Sequence, residues 1–316
     1  MNNFWKQLPA PFTALAPMDG VTDFVFRQII AEIGRPSVFF TEFTNCDSIM
    51  STGRDVVTRN LMFNDSQKPI VAQIWGSTPL NFYNTAKYIK KLGLSGIDIN
   101  MGCPDKVVIK NNAGAALINQ PDLAGEIIKA TKKGAGNLPV SVKTRIGFET
   151  PQINDWIGFL LKQNLAALAI HLRTFSELSK VPAHWELMSR IIKLRNKLAP
   201  DTLIIGNGDI TSLKEVEEKY KEYGCEGYMI GTGIFSNPWV FNKSVNVNNI
   251  TVADKQKIYL RHIRLFVKTW GNTRNSANLK KYCKMYINNF PNAVDMREKI
   301  MKAKTAQEIE EILTSV

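Results

Sequence analysis

The feature that most limits how this chain can fold is a regular alternation of short apolar segments with longer helix-like ones. Eight segments rich in apolar and β-branched residues recur, and most are too continuously apolar for strands exposed on one face. They lie at residues 13–18, 37–43, 69–76, 96–102, 139–147, 166–174, 202–209 and 227–233. Helix-like stretches separate them, and several end in Lys and Gly, as helix C-termini do. Eight strand–helix units in about 240 residues predict a TIM (β/α)8 barrel, with a doubly wound parallel sheet as the competing fold.

The chain changes character after the eighth unit. Residues 242–252 are polar and rich in Asn, and the pattern from residue 253 on is helical. We therefore expect a barrel over residues 1–241, a linker over 242–252 and a small all-helical C-terminal domain over 253–316. A chain of 316 residues, 44% of them hydrophobic, is long enough for a large domain and a small one.

Composition and cysteine spacing argue against several classes of protein. The N-terminus lacks a signal-peptide pattern, and no apolar run approaches the roughly 18 residues of a membrane span, so we expect a soluble protein of the cytoplasm. The four cysteines, at positions 46, 103, 225 and 283, are far apart in sequence, and only three histidines accompany them. A Cys/His zinc site and a disulfide framework are both disfavoured, and no metal is expected.

The net charge of +12 is concentrated in one part of the chain. Nine basic residues and no acidic residue lie between Lys255 and Lys284. A stretch with one sign of charge favours a surface for a polyanion, either nucleic acid or an anionic membrane. Aromatic residues among these cations are candidates for stacking on bases but are more often part of a small hydrophobic core: Tyr259, Trp270, Tyr282 and Tyr286.

Polar, charged or glycine residues stand at the C-terminal end of every predicted strand, where TIM barrels carry their active sites. Glycine-containing loops after the seventh and eighth strands are typical of a phosphate cradle. A lysine there, Lys143, is suited to stabilise an electron-rich ring or an enolate-like anion. The set also contains Glu42, Gln73, Asn100, Cys103, Arg145, His171 and Arg173, with Pro17 to Gly20, Asn207 to Asp209 and Gly231 to Gly233 in the loops.

The order of motifs along the barrel resembles that of the dihydrouridine synthases. Asn-x-Gly-Cys-Pro, after the fourth predicted strand, is the most specific of them. The basic, helical C-terminal part also agrees with this family. The motifs are APMDGVTD (16–23), TEF (41–43), AQIWG (72–76), DINMGCP (98–104), KTRIG (143–147), IHLRT (170–174), NGDI (207–210) and MIGTGIFSNPW (229–239).

The resemblance implies an FMN-dependent oxidoreductase that reduces the C5=C6 bond of uridines in tRNA, with NADPH or NADH as electron donor. Asn100, Arg145 and Arg173 would face the substrate RNA. The basic domain would bind tRNA phosphates through residues that include Arg261, Arg264, Lys280, Lys281 and Lys284. The residues matched to FMN binding are Pro17, Met18, Asp19, Gln73, Lys143, His171, Asn207, Gly208, Asp209, Gly231 and Thr232.

The same resemblance makes Cys103 the proton donor. Reduction of uracil needs a hydride at C6 and a proton at C5, and the target base must first be flipped out of the folded RNA. A free thiol titrates at about pH 8.5, so it is mostly protonated at neutral pH and able to act as an acid. Gly102 and Pro104 place this thiol on a stiff turn, with its geometry fixed before the substrate arrives.

Two positions depart from the family pattern, and three rival interpretations remain open. Thr232 stands where an arginine usually meets the FMN phosphate, and Leu172 stands where glycine is usual. The rivals are an FMN-dependent oxidoreductase of a free pyrimidine, similar to dihydroorotate dehydrogenases, an RNA-binding barrel without catalysis, and, more weakly, membrane association. The acid-free basic stretch argues against the first, and an intact Cys103 argues against the second. We expect a monomer without membrane contact.

Overall fold

Parallel strands form a barrel at the centre of the computed structural model, which describes residues 3–315. Neighbouring strands follow the order β1-β9-β8-β7-β6-β5-β4-β2, and β3 also pairs with β4. A parallel bridge between Ala14 and Val38 closes the ring. Because β2 and β3 pair with opposite ends of β4, they share one of eight barrel positions. The TIM-barrel prediction is confirmed. The strands are β1 (Phe12–Leu15), β2 (Phe39–Phe40), β3 (Thr44–Asn45), β4 (Ile70–Trp75), β5 (Gly96–Met101), β6 (Val140–Arg145), β7 (Ala167–His171), β8 (Leu203–Asn207) and β9 (Gly227–Ile230).

Helices surround the barrel and continue beyond its last strand. Pro79 and Pro121 each begin a helix, because a first-turn residue needs no N–H donor, and Gly93 and Gly224 end helices in the left-handed conformation. The α-helices within residues 3–315 are α1 (Phe24–Ile33), α2 (Cys46–Ile49), α3 (Arg54–Val57), α4 (Pro79–Leu92), α5 (Lys106–Lys110), α6 (Pro121–Ala135), α7 (Gly158–Leu161), α8 (Met188–Leu198), α9 (Leu213–Tyr223), α10 (Val252–Trp270), α11 (Cys283–Tyr286), α12 (Ala293–Lys302) and α13 (Ala306–Thr314).

The interior of the barrel is filled by a small apolar cluster that leaves only the rim for chemistry. Val71, Ala169 and Ile205 belong to this cluster and are fully buried or nearly so. Side chains two residues apart on a strand point to the same face. The residues two positions further along these three strands therefore also point inward, at the C-terminal rim; they are Gln73, His171 and Asn207.

The C-terminal helices pack against α1 through buried aromatic residues. Phe26 on α1 stacks on Tyr282 with ring centroids 5.1 Å apart, and Tyr259 stacks on Tyr286 at 4.9 Å. These three tyrosines and Trp270 are at most 3% exposed. They are core residues, as the more usual interpretation of their sequence predicted, and their rings are not exposed for stacking on bases. The division of the chain into two domains with a linker stays a prediction.

Membrane spans and metal clusters are both absent from the part of the chain that the structure describes. No helix there is both long and apolar enough to cross a membrane. Within residues 3–315, no three side chains from His, Cys, Asp and Glu come together as metal ligands. The absence of a metal from the working protein stays a prediction.

Two glycines on α6 provide a matched test of the helix packing. A Cβ at position 134 would overlap the backbone carbonyl of Tyr83 on α4, whereas at position 125 it would meet only the ring of Phe159, at 3.4 Å. Gly134→Ala should lower the free energy of unfolding by about 1–3 kcal/mol through overpacking. Gly125→Ala should leave it unchanged or raise it by up to about 1 kcal/mol through helix propensity. Urea unfolding measures both, and equal effects would contradict the packing described.

Candidate active site

The pairing register of the strands brings the predicted site residues to one rim. Asn100 on β5 lies opposite Lys143 on β6. Arg145, His171 and Asn207 lie side by side at the ends of β6, β7 and β8. Since all strands are parallel, these side chains belong to one end of the barrel, the end at which TIM barrels carry their active sites.

Asn100 holds the turn that carries Cys103. Its Oδ1 accepts hydrogen bonds from the N–H groups of Gly102 (3.1 Å) and Cys103 (2.9 Å). A side chain at position 102 would crowd the backbone of Thr144, at 3.0 Å from its carbonyl carbon. Gly114, with φ of +60°, leaves room for the carbonyl of Cys103, which a Cβ there would approach to 2.8 Å. The turn is therefore packed on both sides, and its backbone conformation is fixed.

The thiol of Cys103 is the accessible one among four free cysteines. Cys103 is half-buried, whereas Cys46, Cys225 and Cys283 are at most 2% exposed. Burial raises the pKa of Cys103 above its ordinary value, and this effect exceeds the opposing one of the backbone hydrogen bond at Asp105. Cys103 consequently keeps its proton at neutral pH, as a general acid must.

Lys143 presents a cation at the rim. Burial, assisted by the neighbouring charge of Arg145, lowers its pKa to about 8, and Asp98 opposes this shift. The side chain remains protonated at neutral pH and loses its charge as the pH rises through about 8. Within residues 3–315 its Nζ donates no hydrogen bond. A half-buried ammonium group without a hydrogen-bond acceptor fits an electron-rich ligand at this position.

Arg145 braces two loops of the rim. Its Nε donates to the carbonyl of Gly102 (2.9 Å), and its Nη1 donates to the carbonyls of Thr174 (2.9 Å) and Leu178 (3.1 Å). The residue is 5% exposed. Because three bonds fix its orientation, the structure places Arg145 beneath the Cys103 turn, as a support for that turn as well as a rim residue.

Arg173 connects His171 to Asp209. Its Nη2 contacts both carboxylate oxygens of Asp209 at 2.6 Å, and its Nη1 lies 3.0 Å from Nε2 of His171. Burial and three neighbouring cations lower the pKa of His171 to about 2, so the ring is neutral. A guanidinium only donates, so Nε2 of His171 accepts and its proton resides on Nδ1. The charge of Arg173 is thus already paired within the protein.

The loops after β8 and β9 carry the glycines of the predicted phosphate cradle, whose role stays a prediction. Gly208 has φ of +135°, and a Cβ there would come within 2.6 Å of the Cβ of Ala183. A Cβ on Gly231 would approach only the Cβ of Ala16, at 3.5 Å. Thr232 is exposed and begins a helical turn, whose first N–H groups have no partner inside that turn.

The side chain of Leu172 is fully buried in the core, where it does not line the rim.

A cluster that sequence reasoning missed joins the C-terminal helices to the loop after β1. Glu42 accepts a hydrogen bond from the N–H of Gly20 (2.8 Å) with one oxygen and from Arg274 Nη2 (3.0 Å) with the other. Asp23 accepts from Trp270 Nε1 (2.9 Å) and lies 3.5 Å from Arg274. The loop that carries Pro17, Met18 and Asp19 is therefore held by residues about 250 positions later in the chain, and only long-range contacts could have revealed it.

The basic stretch contains no acid along the chain, yet several of its cations are paired in space. Arg261 contacts Glu32 at 3.0 Å, and Arg264 contacts Glu310 at 2.7 Å. Exposed pairs of this kind contribute little to stability and exchange readily for other anions. Of the remaining residues predicted to contact RNA, Lys280 donates to the carbonyl of Met301, Lys281 donates to the carbonyl of Gly20 at the barrel rim, and Lys284 is exposed.

Because the other three cysteines are buried, Cys103 should be alkylated selectively. Iodoacetamide should modify this residue alone in the native protein, and the midpoint of its rate against pH should lie above that of a free thiol such as glutathione measured alongside, because burial raises the pKa of this thiol. Peptide mass mapping across a pH series measures the site and the midpoint. Cys103→Ser is the control and should abolish labelling. A midpoint at or below that of the free thiol would contradict the environment described for Cys103.

Comparisons with known proteins bear on the family and the fold of this chain. A probable tRNA-dihydrouridine synthase 2 of Bacillus subtilis is 44% identical over 98% of this chain and 95% of its own length. A probable tRNA-dihydrouridine synthase of Staphylococcus aureus is also 44% identical, over 98% and 94%. Among solved structures, morphinone reductase shares the fold, with a TM-score of 0.54 and 12% identity over 76% of this chain and 87% of its own. The family model described as dihydrouridine synthase (Dus) matches residues 14–316. The chain belongs to the dihydrouridine synthase family.

Proposed function

We propose that this protein reduces the C5=C6 bond of specific uridines in tRNA, with FMN as cofactor and NADPH or NADH as electron donor. One observation carries the proposal: the accessible, protonated thiol of Cys103 stands on a rigid turn at the barrel rim, beside the half-buried cation of Lys143. Family membership and the names of the relatives support the reaction. The cytoplasm, where tRNA is modified and used, is the compartment we infer.

The residues at the rim fit FMN. The neutral ring of His171, the amide of Gln73 and the unengaged ammonium of Lys143 suit the polar edge of a flavin ring. The cradle of Gly208, Gly231 and neighbouring N–H groups suits its phosphate. Thr232 brings a hydroxyl but no charge. The other residues proposed to line the cofactor are Pro17, Met18, Asp19, Asn207 and Asp209. Bound FMN would supply the hydride that C6 of the uracil receives.

The protein itself supplies the proton and holds the base. Cys103 Sγ–H donates its proton to C5 of the uracil, and the resulting thiolate regains a proton from solvent before the next turnover. Lys143 stabilises negative charge that develops nearby. Asn100 and Arg145 keep the thiol in place through the backbone of Gly102 and Cys103, so the geometry is set before the base arrives.

The C-terminal helices provide the proposed RNA surface. Lys257, Lys268 and Lys284 are exposed, and within residues 3–315 none of them pairs with an acid. Lys281 sits at the junction with the barrel rim through its bond to Gly20. Cations in this arrangement would neutralise phosphates while the target base is flipped into the barrel, at an unstacking cost of a few kcal/mol. Arg261 and Arg264 would exchange their exposed carboxylate partners for phosphates.

The direct test uses tRNA from a strain that lacks all dihydrouridine synthases. Purified, flavin-loaded protein and NADPH should produce dihydrouridine at defined positions, mapped by sequencing. Free uridine and orotate serve as control substrates and should give no product. Turnover of a free pyrimidine without modification of tRNA would overturn the proposal in favour of a small-molecule oxidoreductase.

The proposed RNA surface predicts a change in salt dependence. The triple variant Lys268→Gln, Lys281→Gln, Lys284→Gln should weaken tRNA binding and reduce the slope of log K against log salt by about 0.7–0.9 for each phosphate that the variant no longer neutralises. Filter binding at several salt concentrations measures this slope. The matched control is Lys193→Gln with Lys197→Gln on α8, both exposed on the barrel and outside the surface. Equal slopes for the two variants would contradict the assignment.

A further inference from the structure

A chain of hydrogen bonds runs from a buried carboxylate to the Cys103 turn. Asp98 Oδ2 accepts from Gln73 Nε2 at 2.7 Å, and its Oδ1 accepts from Ser141 Oγ at 2.6 Å. Gln73 Oε1 accepts from Asn100 Nδ2 at 3.1 Å, and Asn100 Oδ1 accepts the N–H groups at the start of the turn. Three neighbouring strands contribute to it, with Asp98 directly opposite Gln73 on one side and Ser141 on the other.

Both ends of this hydrogen-bond series require the same orientation of the side-chain amides of Gln73 and Asn100. At one end, the backbone N–H groups of Gly102 and Cys103 can only donate, so the oxygen of Asn100 must face them. Its NH2 then faces Gln73, whose oxygen must accept, and the NH2 of Gln73 is left for Asp98. At the other end, the carboxylate of Asp98 only accepts, which requires that same NH2. Neither amide can flip without placing two donors or two acceptors face to face.

Burying a carboxylate at this position costs free energy, which indicates that Asp98 has a role beyond filling space. Asp98 is fully buried, and the next layer down in the barrel is apolar. An apolar residue would fill the same space without the cost of a buried charge. Burial raises the pKa of Asp98 to about 6, and the hydrogen bonds from Ser141 and Gln73 and then the cation of Lys143 oppose that shift, so the group is ionised at neutral pH.

We propose that Asp98 is a positioning residue for the reaction: as an obligate acceptor it sets the orientation of Gln73 and Asn100, and through them the position of the Cys103 thiol. This inference rests on the proposed function for its kinetic consequence, although its structural consequence does not need that function. With both links made, Gln73 retains one amide hydrogen and one lone pair of fixed direction for a ligand. The acceptor property of Asp98 is what matters, more than its charge.

Three substitutions separate the acceptor from the charge. Asp98→Leu removes the acceptor and leaves Gln73 Nε2 buried without a partner. Asp98→Asn removes the charge but keeps an oxygen for Gln73, since its NH2 can donate to Ser141 Oγ. Ser141→Ala is the matched control, because it removes a bond to the same carboxylate without affecting the amides.

Two readouts are measured on flavin-loaded protein: the iodoacetamide rate of Cys103 at pH 8, and kcat on tRNA. Asp98→Leu should raise the alkylation rate at least ~3-fold, because the turn loosens, and lower kcat ~10- to 100-fold with tRNA KM unchanged. Asp98→Asn and Ser141→Ala should remain within ~3-fold of the unmodified protein in both readouts.

Two results would overturn the proposal: wild-type alkylation in Asp98→Leu, or equal losses in Asp98→Asn and Asp98→Leu. If Asp98→Leu fails to fold, Gln73→Leu interrupts the same series of hydrogen bonds at the next residue and should show the same faster alkylation of Cys103. An unchanged alkylation rate in Gln73→Leu would also overturn the proposal. If the unmodified protein makes no dihydrouridine, the comparison of alkylation rates still tests the hydrogen bonds from Asp98 to the Cys103 turn. Failure of the proposed function and failure of this inference are therefore distinguishable.

Discussion

Parallel pairing between neighbouring strands, all the way round the barrel, delivers the last residues of every strand to a single rim. The interior below is filled by small and branched apolar side chains, so polar groups are concentrated in the one layer that substrates can reach. Residues far apart in the chain, such as Asn100 and Lys143 or Arg145 and His171, become neighbours because the register of β5, β6 and β7 is fixed. The chemistry of the site follows from that register.

Burial then decides the protonation of each group at the rim. Removing water disfavours charged forms, and the effect has a different sign for acids and bases. It keeps the thiol of Cys103 protonated and the ring of His171 neutral, and it lowers the pKa of Lys143 to about 8 without discharging it at neutral pH. At neutral pH the rim therefore carries a proton donor (Cys103), a neutral hydrogen-bond acceptor (His171) and a cation (Lys143). On the alkaline side, this combination is lost as Lys143 discharges above about pH 8.

The sequence predicted the fold and most of the rim, and it missed what depends on contacts between distant segments. Eight apolar segments are a local pattern and predicted the barrel, whereas the role predicted for Cys103 came from the resemblance of its motif to a family. Asp98 lies inside the apolar run GIDIN, and its task was visible only once the register placed it between Gln73 and Ser141. Arg274 is one of the nine basic residues in the stretch without acidic residues, yet it contacts Asp23 and Glu42 more than 200 residues earlier.

The measurement that tests this account most directly is single-turnover reduction of tRNA by protein whose flavin has been reduced beforehand, followed by the rate of flavin reoxidation. Cys103→Ala should slow this step by about 100-fold or more, the usual contribution of a positioned acid, with flavin content and tRNA affinity unchanged. The rate for the unmodified protein should fall as the pH rises above the raised pKa of this thiol. Equal rates for the two proteins would show that another group delivers the proton and would contradict the role assigned to Cys103.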